Sequence, residues 1–86
     1  MRIQHNPNST MSELELMDII AGNLKTLMDE YGYSQKELAE ASGVSEASIS
    51  RYIKAERMPT LVSLFNISMA LDCEPHDITG MSYWID

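Results

Sequence analysis

SQKELAEASGVSEASISRYIK, residues 34–54, decides how this chain folds. Ser34 stands three residues before Glu37, so its hydroxyl can cap a helix whose glutamate reaches back to the cap's own amide. Leu38 and Ala39 give that helix an inward face, and Ala39 is small enough to let a second helix cross closely above it. Gly43 sets the stop, because a helix ending in a left-handed residue does so at least cost where no Cβ clashes. Val44 plugs the corner, Ser45 caps the next helix, and Ile49, Tyr52 and Ile53 recur at helical spacing as its buried side. Glu46, Ala47, Ser50 and Arg51 are left facing outward. The segment reads as two short helices joined by a glycine turn.

Counted from Gln35, alanine is fifth, glycine ninth and isoleucine fifteenth. With its caps and its downstream Met58-Pro59, this ordered run resembles the helix-turn-helix of the phage repressor and Cro-type transcriptional regulators. Asn23-Leu24-Lys25 and Gly32 to Ala39 are similar to that family's first two helices, and Met58-Pro59 through Ala70-Leu71 to its connection and fourth helix. The resemblance covers roughly residues 15–80. It implies an all-α, compact five-helix lambda-repressor-like DNA-binding domain, with the helix-turn-helix at helices 2 and 3.

In such a domain helix 3 enters the major groove and helix 2 lies across the backbone. The resemblance therefore makes Glu46, Ala47, Ser50 and Arg51 the candidate base readers. Arg51 leads them, since its planar fork matches guanine O6 and N7; a phosphate contact is its alternative. Ala47 suits a thymine methyl, and Glu46 either a cytosine amine or only the positive end of its own helix. Gln35 matches the family position that grips a phosphate together with helix-end N–H groups. Lys36, Ser48, Lys54 and Arg57 are further candidate backbone contacts, though an exposed lysine or arginine is as readily a solvated charge.

Two departures from the family pattern stand out. Family members often pair an arginine on helix 1 with a glutamate at the end of the recognition helix, and the matching positions here are Met28 and Ile53. Losing both together avoids the uncompensated buried charge that losing one would leave. Ala55 stands where the family commonly has glycine. If it stays left-handed, alanine costs on the order of 1 kcal/mol; if the turn is remodelled, Lys54 and Arg57 are presented differently.

Eighty-six residues with 44% hydrophobic content suit one small domain with one core. Seven methionines, four tyrosines and one tryptophan, against four glycines and three prolines, fit a helical interior. Cys73 is the single cysteine, which excludes an intramolecular disulfide and fits the cytoplasm. No run of apolar residues resembles a signal peptide or a membrane span.

The charge is unusual for a DNA binder: thirteen acids and six bases give −7. Between residues 34 and 57, however, Lys36, Arg51, Lys54 and Arg57 balance Glu37, Glu40, Glu46 and Glu56. The excess lies on helix 1 and the C-terminal third. There it serves solubility and limits non-specific DNA binding.

Residues 1–11 are polar around Asn6-Pro7-Asn8 and read as a flexible N-terminal arm, with residues 12–80 forming the DNA-binding domain. Ser12 and Glu15 make a second capping box. Met17, Ile20, Leu24, Leu27, Met28 and Tyr31 then give helix 1 its inward face, and Gly32 ends it. Thr60 caps a fourth helix so apolar, from Leu61 to Leu71, that it is expected to be the most buried. Pro75 opens a short fifth helix with Ile78 inward and Gly80 at its end. Residues 81–86, Met-Ser-Tyr-Trp-Ile-Asp, form an apolar tail expected to pack either on the chain's own helices 1 and 5 or, the favoured reading, on a two-fold partner, supporting a homodimer through Tyr83, Trp84 and Ile85.

No catalytic constellation is visible. Cys73, His76 and Asp77 have metal-like spacing, but a closed zinc site needs four ligands and no second cluster exists; a buried thiol and an exposed imidazole are the simpler reading. The expectation is a non-enzymatic, cofactor-free, cytoplasmic regulator of repressor type that binds double-stranded DNA as a homodimer. Its rival is an antitoxin-like interaction module whose acidic surface binds a partner protein and whose DNA binding is secondary or lost.

Overall fold

The structure is a computed structural model and describes residues 11–80. Among these it contains five α-helices: α1 (Glu13–Tyr31), α2 (Gln35–Ser42), α3 (Glu46–Ile53), α4 (Leu61–Ala70) and α5 (Pro75–Thr79). The arm up to residue 10 and the tail at 81–86 lie outside the described residues, so the expected tail-mediated dimer does too.

The helix ends follow the local chemistry. At α1, Ser12 Oγ accepts from the Glu15 amide at 3.1 Å while the Glu15 carboxylate accepts from the Ser12 amide at 3.0 Å. Gly32 closes the helix at φ +72°. Thr60 Oγ1 accepts from the Ser63 amide at the start of α4. Pro75 opens α5, and Gly80 ends it in the left-handed region.

α1 packs on α5 and α3, α2 on α3 and α4, and α4 on α5. Leu24 and Leu27 from α1, Leu38 from α2, Ile49 from α3, Ile67 from α4 and Ile78 from α5 meet in one core and are almost completely buried. Two buried polar side chains fit because their bonds are satisfied inside, as burial requires. Asn23 Nδ2 donates to the Ile78 carbonyl at 3.1 Å, tying α1 to α5, and Ser68 Oγ donates to the Leu64 carbonyl at 2.8 Å.

Four expectations are corrected. α4 is not the most buried helix: Leu64, Ile67 and Ser68 face the core, but Leu61 (72% exposed), Val62 (70%), Phe65 (50%) and Met69 (71%) face solvent. α4 packs chiefly against α2 and α5, and among the described residues its outer side is left uncovered. Tyr31, at the last turn of α1, is half exposed instead of inward, because the chain turns away at Gly32. Ile53 and the Cys73 thiol are only partly buried, each packed on the edge of the core.

Ala55 keeps the left-handed conformation, with φ +57°. Its amide donates to the Tyr52 carbonyl at 3.1 Å and the Glu56 amide to the Arg51 carbonyl at 2.9 Å, the paired closure of a Schellman turn. The α3 terminus is thus built in the usual way with the wrong residue for it. Ala55→Gly is expected to raise stability by about 1 kcal/mol, or several degrees in Tm. Calorimetry of the two proteins checks this, and no gain would mean that the turn relaxes away from φ +57°.

Candidate nucleic-acid interface

The interface is assembled from the start of α2, the turn, and the outer side of α3. Ser34 Oγ accepts from the Glu37 amide at 3.1 Å and the Glu37 carboxylate accepts from the Ser34 amide at 2.9 Å. Together these two bonds hold the first turn of α2 in place. The same hydrogen bonds, the backbone one first and then the Ser34 hydroxyl, hold the Glu37 carboxyl below the usual carboxylate range.

Because the folded-state value is lowered, Glu37 stabilises the fold above the ordinary carboxylate range and loses that effect as pH falls through it. The stability difference between the wild type and Glu37→Gln is therefore expected to narrow on acidification. Urea unfolding at a series of pH values measures it, and a constant difference would rule out the ionised cap as its source.

The turn is braced by a residue that the sequence pattern does not flag. Ser42 is buried; its Oγ donates to the Leu38 carbonyl at 2.7 Å and accepts from the Val44 amide at 3.2 Å. Gly43, at φ +74°, donates its amide to the Ala39 carbonyl, and Val44 is buried in the corner. Ser45 Oγ then accepts from the Ser48 amide at 3.1 Å and donates to Ser48 Oγ at 2.9 Å.

On α3 the burial of Ile49 and Tyr52 fixes the opposite side as the presented one. At about 100° per residue, positions 46, 47, 50 and 51 share an arc of roughly 140°. Glu46, Ala47 and Arg51 are exposed and Ser50 is half-buried. Among the candidate backbone contacts, Lys36, Lys54 and Arg57 are exposed, while Gln35 and Ser48 are half-buried. Among the described residues no ion pair engages Lys36, Arg51, Lys54 or Arg57.

Gln35 opens onto a cleft of about 310 Å³ that it lines with Ser34, with Lys25, Met28 and Asp29 of α1, with Tyr33 and with Ile53 of α3. The start of α2 and the end of α3 are thereby neighbours across α1, and Met28 and Ile53 share one cleft. The exposed Lys25 joins Gln35 here. Local spacing gives no sign of that, because only the α1–α2 junction brings the two together.

The helix-turn-helix profile matches residues 24–78, most of the described chain. The chain belongs to the helix-turn-helix family. An HTH-type transcriptional regulatory protein of Pyrococcus furiosus is 50% identical over 38 residues, which are 44% of this chain and 12% of that protein.

Among solved structures, an HTH_3 family transcriptional regulator from Vibrio cholerae superposes with a TM-score of 0.75 at 27% identity, covering 78% of this chain and 38% of that one. The restriction-modification controller protein C.AhdI from Aeromonas hydrophila gives 0.70 at 27% identity, over 72% and 94% respectively. The hypothetical transcription factor NHTF from Neisseria gives 0.72 at 21% identity, over 90% and 88%, and shows the fold alone. This chain thus spans about an eighth of the archaeal protein and about two fifths of the Vibrio one. Like these relatives it carries the helix-turn-helix, and no described helix is long and apolar enough to cross a membrane.

Proposed function

We propose that this chain is a sequence-specific transcriptional regulator of repressor type, without catalytic activity, which reads the major groove of double-stranded DNA with α3 as a homodimer. The observation that carries the reading is the clean division of α3, with Ile49 and Tyr52 in the core and Glu46, Ala47 and Arg51 presented to solvent behind a capped α2. C.AhdI, matched over 94% of its length, supports it further: a domain of this extent makes up nearly all of that controller protein. Gln35, Lys36, Ser48, Lys54 and Arg57 hold the phosphates on either side.

Selection of bound sequences from random duplex DNA tests the proposal by asking for one recurrent, two-fold-related motif; recovery of none removes it. On the selected site Arg51→Ala is expected to cost about 1 to 3 kcal/mol and to relax preference at one base pair. Competition binding measures both effects. An equal loss on selected and random DNA would make Arg51 a phosphate contact instead of a base reader.

A further inference from the structure

α4 presents an apolar stripe that nothing in the chain's described residues covers. Leu61, Val62, Phe65 and Met69 are 50 to 72% exposed. At about 100° per residue they fall within roughly 100° of arc, so they form one continuous face along the helix. Solvent-facing clusters of this kind on a small domain mark a contact surface, in contrast to scattered single apolar residues.

We infer that this face of α4 is the surface on which a second copy of the chain docks, related by a two-fold axis that sets the two α4 helices side by side. The inference rests on the homodimer in the functional reading above and says where that dimer forms. Charge selects the occupant. The chain carries −7, so two copies repel wherever their acidic surfaces meet, yet the ten residues of α4, LVSLFNISMA, include no charged side chain. A two-fold contact brings one patch against itself, and a neutral apolar stripe is self-complementary in a way that an acidic surface is not.

The chain's own tail is a poorer fit. Tyr83, Trp84 and Ile85 are consecutive, and three residues span at most about 10 Å in any conformation. The stripe runs about 12 Å, from Leu61 to Met69, and needs apolar partners along all of it. A second α4 supplies them at matching spacing.

Sedimentation of the full chain and of Leu61→Glu/Met69→Glu tests the inference. Both residues are more than 70% exposed, so the variant is expected to keep the wild-type helical signal and thermal transition, which circular dichroism checks. Val62→Glu is the second variant should the first fail to fold. At micromolar concentration the wild type should show twice the chain mass and the variants the single mass, with a loss on the order of 100-fold in affinity for a two-half-site operator but not for a single half-site. Variants that remain dimeric would overturn the α4 assignment while leaving the homodimer intact. A monomeric wild type would overturn the homodimer as well. A monomeric full chain that dimerises once residues 81–86 are deleted would assign the stripe to the tail. Operator binding by a chain monomeric throughout would leave the DNA-reading proposal standing and remove only the dimer.

Discussion

Met28→Arg is expected to destabilise the fold by roughly 3 kcal/mol, at the lower end of the cost of an uncompensated buried charge. Met28 is buried and packed in the core, so an arginine there must either lose its hydration or push outward through the cleft it lines. That cleft opens beside Asp29, which offers partial relief and keeps the cost from the upper end. Ile53 lines the same cleft from the end of α3 and is only partly buried, so Ile53→Glu alone should be cheaper. Combined, the two charges meet across α1 and α3, and the double variant should be more stable than the sum of the single costs by about 1 to 3 kcal/mol. Urea unfolding of the four proteins gives the coupling directly. Additive costs would show that the two positions do not compensate one another, and the apolar pair would then need another explanation than the joint loss of an ion pair.

What could be read in advance follows how locally each feature is determined. The capping boxes at Ser12 and Ser34, the left-handed Gly32 and Gly43, and the Ser45 and Thr60 caps each depend on residues within four positions, and all lie where the spacing puts them. The presented side of α3 was legible for a related reason: once Ile49 and Tyr52 face inward, helical geometry leaves 46, 47, 50 and 51 outside. The exposure of α4 was not legible. Its sequence is apolar on every side, and which side is covered depends on how many other helices reach it, a property of the whole packing. Asn23 and Ser42 were hidden in the same way. A polar side chain looks like surface until its partner is known, and for Asn23 that partner is a carbonyl 55 residues away. Ala55 is the intermediate case, since the departure is visible in sequence but only the φ of +57° shows that the turn was kept.

The affinity of the dimer for its operator is expected to fall with salt at a slope near −5 in log K against log salt concentration. Lys36, Lys54 and Arg57 are exposed and no ion pair engages them among the described residues, so on the proposed homodimeric reading about six cations meet phosphates, and each would release close to 0.9 of a counterion. A fourfold rise in salt should then weaken binding by roughly 1,000-fold. The acidic body sharpens the consequence. With the excess of carboxylates on α1 and the C-terminal third, placements that bring those surfaces against phosphates are expected to be repelled. Random DNA should accordingly be bound far more weakly than the operator even at low salt, where basic domains bind indiscriminately. Fluorescence anisotropy across a salt series measures both quantities. A slope beyond about −8 would add further cations, with Lys25 beside Gln35 the first to test by substitution. A slope near zero would mean that the cations around α3 never meet phosphates, and it would transfer the protein to the interaction modules that keep the helix-turn-helix scaffold without reading DNA.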